Sequence, residues 1–453
     1  MKLLLRRLLL SLSLAGLSAT GCQNLGSIST PTSKPVTLKL SGWGASPVEK
    51  RLLQNVLKEF ERSHPDIRVK FEVIADQYMD VLKTRLIGDA ASDVFYLDAL
   101  EAPFLMQANV LEPLNAYITR EFDLADFEPN LLNVFRVGNT LYGLPKDYST
   151  LALVYNKQAF QAAGLAAPPQ TWEAFMADAK QLTLDQNRDG KPEQHGWGLS
   201  PDLARLVYVI QAYGGCVVDQ HGYATFAQPK ALMGLQMVVN QYRQQRTAIL
   251  PSDVGSSSGS DMLGQGKVAM VIEGNWAIPY LQDNFPALQF DTAPVPTLNH
   301  RPGTMVFTVA YVMNRRAQHK SEAWQLIAYL TGKAGMAKWT STGFALPTRR
   351  SVAKQLRYDR DPLRSPLVAG VTYATPWQLG PYPTPIMTTF NNQFLSALLG
   401  EQPLQKALQR AQDNANMQIQ AANGNATQYA PSSFCARKGD SANKVAIKKS
   451  IEQ

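Results

Sequence analysis

Val268 to Ile272 is a short unbroken apolar run bounded by Gly266-Lys267 on one side and Gly274-Asn275 on the other. Such a run between turn residues predicts a strand buried on both faces. Trp276 follows just past its C-terminal end. In open α/β sheets ligands bind outside the carboxyl ends of strands, where a Trp offers a flat apolar face and one N–H donor. Two readings stand for it: a ring on which a sugar stacks, or a core Trp beside a tight turn.

The chain ahead of this run alternates between periods of two and of 3.6 residues. Thr37 to Leu40 predicts a strand ending at Gly42-Trp43-Gly44, and Val48 to Ser63 a helix with Leu52, Leu53, Val56, Leu57 and Phe60 on one face. Ile67 to Ile74, Tyr78 to Ile87 and Asp93 to Leu97 continue as strand, helix and strand, with Asp98 at the last strand's end. That alternation predicts a mainly parallel sheet covered on both faces. Trp43 and Asp98 both fall at strand ends, which places them at a common crevice; packed loop aromatic and helix N-cap are the competing readings.

Gly143 to Tyr148 (GLPKDY) separates two strand signals and predicts a crossing between domains. Beyond it, Thr171 is expected to cap a helix opening at Trp172, and Leu203 to Tyr213 and Leu232 to Tyr242 to form helices. Phe290 to Ala293 and Val306 to Met313 predict strands, and Ser321 to Thr331 a helix capped by Ser321 and closed by Gly332. This return to strands suits a chain crossing back to its first domain. Tyr373, Trp377 and Tyr382 lie in a Pro-rich passage, either a lid or packing for its own loop. Phe390 to Asn423 is a long amphipathic region, and Gly424 to Gln453 a polar tail.

The N-terminus predicts export. Lys2, Arg6 and Arg7 precede the apolar Leu8 to Leu17, and small residues lead into Cys22. No other stretch is apolar for the 18 or more residues a membrane helix needs. Gln23 to Lys34, rich in Ser, Thr, Gly and Pro, predicts a flexible tether. The formal net charge is +8, three units of it from the signal, and the rest is dispersed, so nucleic acid is not implied. Cys216 and Cys435 either pair in an oxidising compartment or stay as thiols. Asp185, Asn187, Asp189 and Glu193 match the first half of an EF-hand calcium loop, but position 12 is Gly196, so a calcium site competes with a plain Asx turn. No other cofactor is indicated: the five His residues show no zinc spacing, and Gly264 to Ala269 precedes a strand, not a helix, so it is no dinucleotide fingerprint.

Taken in order, the lipoprotein-like signal, Trp43, Asp93-Val-Phe-Tyr-Leu-Asp98, Gly143-Leu-Pro-Lys-Asp147, Leu153-Val-Tyr-Asn-Lys157, Pro169-Gln-Thr-Trp172, Gly266 to Trp276 and Gly343-Phe-Ala-Leu-Pro-Thr-Arg349 resemble the extracellular solute-binding proteins of carbohydrate ABC importers, the maltose- and trehalose-binding type. The likeness covers about residues 37 to 425. It implies an α/β, two-lobed periplasmic-binding-protein fold with hinge crossings and a ligand cleft between the lobes. The expected divisions are 1–21 signal peptide, 22–36 lipidated Cys22 and tether, 37–147 plus 291–346 first lobe, 148–290 plus 347–425 second lobe, and 426–453 tail. The resemblance also implies that Trp276 stacks on a pyranose face, that Asp98 and Asp147, with Tyr148 beside it, accept sugar hydroxyls, and that Arg349 or Arg350 joins them. Trp43, Tyr311, Tyr373 and Trp377 are further ligand-binding candidates by position, while Glu273 faces either ligand or hinge.

The expected function is therefore the substrate-binding component of an ABC sugar importer. It would be a monomer held by a lipid anchor at the extracytoplasmic face of the membrane, with no catalytic residues and no required cofactor. It would deliver a small glycoside of the trehalose, maltose, sucrose or glucosylglycerol type to permease subunits. The rivals are an exported carbohydrate-processing enzyme using Asp98 and Asp147 as an acid/base pair, and a binding protein for a non-sugar solute such as a polyamine.

Overall fold

The computed structural model describes residues 34–44 and 47–422. Twelve strands are present among them: β1 (Val36–Gly42), β2 (Ile67–Val73), β3 (Val94–Asp98), β4 (Arg136–Val137), β5 (Thr140–Leu141), β6 (Gly143–Asn156), β7 (His195–Gly198), β8 (Ala248–Ile249), β9 (Val268–Gly274), β10 (Phe290–Ala293), β11 (Met305–Met313) and β12 (Thr375–Pro376). Ten form one sheet in the order β2-β1-β3-β11-β6-β9-β7-β8, with β10 on β6 and β12 on β11; β4 and β5 make a separate hairpin.

The parallel pairings expected from the sequence hold on the flanks, β2-β1-β3 and β9-β7-β8, and for the short β12 on β11. In the middle, β3-β11, β11-β6, β6-β9 and β10-β6 are all antiparallel. The cause is the 14-residue β6. Its first half pairs with β11 and its second half with β9, so the chain crosses from one half of the sheet to the other as continuous strand. The GLPKDY passage thus makes its crossing as strand. Pro145 is tolerated because this half of β6 has β11 as its one long neighbour and otherwise only the Tyr148–Leu346 bridge.

Two apolar cores follow from this crossing. One joins Leu38, Leu40, Phe60 and Phe95 to Ala310, Val312, Leu326 and Val352. The other joins Leu153, Trp172, Trp197 and Ile210 to Met270, Ile272, Val295, Leu298 and the helices Pro383–Leu399 and Leu404–Ala422. Ala293, Val295, Leu298 and Met305 pack with the second core, and Ala310 to Met313 with the first. Every residue of β9 is buried, as its unbroken apolar pattern predicts; Met270 and Ile272 face the second core while Val271 packs on Met262 and Leu281. Each such side chain contributes about 1.5–3 kcal/mol by leaving water.

Thr171 Oγ1 accepts from Ala174 N at 3.2 Å, as a cap should, and Trp172 is core. Ser321 is not a cap: the helix starts one residue earlier, at Lys320, after His319. Among the described residues no helix is long and apolar enough to cross a membrane. Cys22, the signal, most of the tether, the polar tail and Cys435 lie outside the described residues.

Candidate functional site

Strand ends from both halves of the sheet meet around one cavity of about 370 Å³. Trp43 follows β1, Asp98 ends β3, Asn275 and Trp276 follow β9, and Trp377 follows β12; the middles of β6 and β11 close the floor with Lys146 to Ser149 and Phe307 to Val309. Of the nine ligand-binding residues expected from sequence, Trp43, Asp98, Asp147, Tyr148, Trp276 and Trp377 line this space.

The floor depends on a β-bulge. Val309 pairs with Asp147 but Ala310 pairs with Pro145, so Lys146 is an extra, unpaired residue. In a regular strand Lys146 and Asp147 would point to opposite faces; the bulge re-aims them so that both reach the cavity. Lys146 is buried, and its Nζ lies 4.9 Å from the Tyr96 ring centroid and 4.3 Å from that of Trp339. It donates to Asp147 Oδ2, which also accepts from Trp339 Nε1 at 2.9 Å. The buried ammonium is thus matched by one carboxylate and two aromatic faces, the arrangement a desolvated charge requires.

Asp98 is not a helix cap, since the next helix starts at Ala102 after Glu101; it closes the intervening turn, its Oδ1 accepting from Glu101 N at 2.8 Å, and forms cavity wall as well. Burial pushes its carboxyl from 3.8 up to about 6; the backbone N–H of Glu101 opposes this, and the neighbouring Glu101 carboxylate adds to it. Trp276 is 37 % exposed, and its Nε1 donates to Glu273 Oε2 at 2.9 Å. Only glycine fits at 274, because a Cβ there would lie 2.2 Å from the Trp276 ring. Phe307 meets Trp276 edge-on with centroids 5.6 Å apart and Trp377 at 6.3 Å, while Trp43 stands edge-on to Tyr78 and Tyr96. Tyr148 is almost wholly buried, and burial pushes its phenol well up, so it is neutral.

Three expected residues are elsewhere. Tyr311 is buried in the first core, edge-on to Tyr96 at 5.4 Å. Arg349 is 1 % exposed; it donates to the carbonyls of Thr331, Asp123 and Phe122 and lies 4.7 and 4.1 Å from the Phe122 and Phe127 ring centroids. Its guanidinium fastens a first-lobe loop, and Arg350 likewise donates to Ala125 O. Tyr373 sits in the turn after the helix Ser365–Gly370, outside the cavity lining.

Sequence reasoning missed Lys146, Ser149, Phe307, Thr308 and Phe344 on the walls. Lys146 carried no signal, because the bulge that turns it arises from pairing. Phe307 was visible only as one apolar position in a strand. Asn275 adjoins Trp276 in sequence, and its Nδ2 donates to the carbonyls of Gly343 and Phe344, both at 2.9 Å, tying the end of β9 to the 343–349 return.

In the calcium-like turn the side-chain oxygens serve the backbone. Asp185 accepts from Asp189 N and Gly190 N, Asn187 from Asp189 N, Asp189 from Lys191 N, and Glu193 from Gln186 N. Among the described residues no group of three or more His, Cys, Asp or Glu is arranged to hold a metal ion. Cys216 is disulfide-bonded, and its partner is outside the described residues.

Comparison with known proteins agrees with this architecture. The structure superposes on an ABC substrate-binding protein from Listeria monocytogenes in complex with cycloalternan, with a TM-score of 0.75 and 22% identity over 86% of this chain and 100% of that one. An ABC transporter solute-binding protein from Thermotoga lettingae, bound with α-D-tagatose, gives a TM-score of 0.71 and 25% identity over 85% and 99%. Both place this chain in the two-lobed binding-protein fold. A multiple sugar-binding protein of Streptococcus mutans is 23% identical over 300 residues, 63% of this chain and 69% of the relative. The profile of the bacterial extracellular solute-binding proteins matches residues 44–337, and with most of both lobes inside that match, the chain belongs to this family of binding proteins.

Proposed function

We propose that this protein is the substrate-binding component of an ABC sugar importer, and that its ligand is a neutral glycoside of one or two rings held in the cavity between β3, β6, β9 and β11. The observation that carries this reading is the company Trp276 keeps. A partly exposed indole with Phe307 beside it, and Trp377 beyond Phe307, shares one cavity with Asp98 and Asp147. A pyranose needs that pairing of a flat apolar face for its C–H groups with acceptors for its hydroxyls. The volume of about 370 Å³ lies near the lower end of the roughly 300–1,000 Å³ usual for small-molecule sites, which favours a small glycoside over a long oligosaccharide. Trehalose, maltose, sucrose and glucosylglycerol types remain the first ligands to test.

In this reading the N-terminal signal exports the chain, Cys22 carries the lipid, the monomer works at the extracytoplasmic face, and the permease takes the sugar from the closed form. Cys435 is the proposed disulfide partner of Cys216. The test is a thermal-shift screen of the mature protein against mono- and disaccharides: a ligand at 100 times its Kd adds about 2.7 kcal/mol of stability. A shift with one small glycoside that is recovered intact supports the reading; cleavage of the sugar supports the enzyme, and response only to polyamines the non-sugar reading.

The raised carboxyl of Asp98 adds a pH dependence. Between about pH 4 and 6 the folded protein holds a proton there that the unfolded chain gives up, so this group's contribution to stability is largest below that window and falls as pH rises through it. Ligand hydroxyls donate to the ionised form. Binding near pH 6 is therefore expected to release up to about half a proton and to weaken as pH falls below 6. Calorimetry in two buffers of different ionisation enthalpy measures the release, and Asp98→Asn should abolish it; equal apparent enthalpies for the native protein would remove Asp98 from ligand contact.

A further inference from the structure

Behind Trp276 lies a chain of charges that does not itself line the cavity. Glu273, the penultimate residue of β9, is 1 % exposed, and its Oε2 accepts both Trp276 Nε1 at 2.9 Å and Arg205 Nη2 at 2.7 Å. Arg205 stands in the first turn of the helix Leu203–Ala212; its Nη1 donates to Asp202 Oδ2 at 2.8 Å, and Asp202 caps that helix by accepting from Arg205 N. The guanidinium carbon lies 5.9 Å from the Trp276 ring centroid. On the other side, Gly259 leaves the space that Glu273 Oε1 occupies: a Cβ there would lie 2.4 Å from that oxygen.

We infer that Glu273 and Arg205 are positioning residues that fix the plane of the Trp276 indole, and hence the face it presents to a sugar; the effect on affinity rests on the function proposed above. A Trp this exposed at a strand end has few packing partners to choose one rotamer, and an N–H bond to a fixed carboxylate supplies the choice. Burying a carboxylate and a guanidinium is expensive, and well-packed apolar residues of equal volume are often as stable or more so. Glu273 therefore adds little to the fold that an apolar side chain would not, whereas it is the acceptor the indole N–H has. Arg205 holds that carboxylate in place through the Nη2–Oε2 bond: burial works against the guanidinium's charge, but Glu273 and Asp202 outweigh it and hold Arg205 above its ordinary value.

The test reads the indole N–H signals of the ¹⁵N-labelled mature protein without ligand, with the Trp276 signal identified by its loss in W276F. In E273M this signal is expected to move upfield and exchange with solvent at least about tenfold faster, with the core Trp172 and Trp197 signals unmoved; E273Q, whose amide oxygen still accepts, should retain it. If E273M does not fold, E273M/R205M removes both buried charges together and carries the same readout. An unchanged Trp276 signal in the apolar variant overturns the inference whether or not any sugar binds. With the sugar that gives the largest thermal shift, E273M is expected to weaken binding about tenfold, E273Q by less than about threefold, and E273M/W276A no more than W276A. A full E273M effect persisting without Trp276 also overturns the inference, because Glu273 would then act elsewhere. Unaltered binding in W276A contradicts the sugar-stacking reading instead, and the indole signal still decides the role of Glu273.

Discussion

Trp276→Ala is expected to weaken sugar binding by about 2–4 kcal/mol, roughly 30- to 700-fold in Kd, the loss typical of an aromatic anchor at the centre of an interface. Its stability cost should be small. Trp276 is 37 % exposed and lies outside the two large apolar cores, so little buried area is lost. Affinity and Tm should therefore separate, with Kd rising steeply while the ligand-free protein melts within a few degrees of the native one. Trp276→Phe keeps a flat face but loses the N–H bond to Glu273 and should fall between the two. Titration calorimetry beside scanning calorimetry measures both quantities on the same preparations.

Asp147→Ala is the second large effect, and here stability should fall with affinity. The substitution leaves the buried Lys146 ammonium without its carboxylate and Trp339 Nε1 without its acceptor. Breaking a buried pair from one side costs about 3–5 kcal/mol, and the Tyr96 and Trp339 faces beside Lys146 favour the lower end. A fall in Tm of about 4–6 °C is expected by scanning calorimetry. Lys146→Met in the same background should recover much of it, because it removes the stranded charge. Failure of that second substitution to restore Tm would show that Asp147 matters through something other than the pair.

Much of this fold could be read from the chain because local pattern and tertiary role coincide. The all-apolar run of β9, the amphipathic face of the helix Pro47–Ser63, and the cap at Thr171 express in sequence what they do in space. Gly274 next to Trp276 is equally direct, because the glycine is where the indole lies. What was hidden depended on pairing between distant segments. Gly and Pro in 143–148 suggested a crossing but not its form; β11, some 160 residues later, supplies the ladder that makes it strand. The same ladder carries the bulge that turns Lys146 toward the site. Tyr311 and Arg349 were placed by analogy of position. The register of β11 sets Tyr311 opposite Tyr96 inside the first lobe, and Arg349 meets three carbonyls and two Phe rings before it could reach a ligand. Aromatic and cationic residues are used for packing as readily as for recognition, and only the fold tells which.

The central claim is that a small neutral sugar binds between the lobes on Trp276. Its most direct test is a calorimetric titration at pH 7.5 of the native protein and of Trp276→Ala with the sugar selected by thermal shift. One ligand per chain, recovered chemically intact, with the heat lost or moved to at least ~30-fold higher concentration in the variant, is the expected result. Unchanged binding in Trp276→Ala, or no binding of any mono- or disaccharide by a folded native protein, would contradict it.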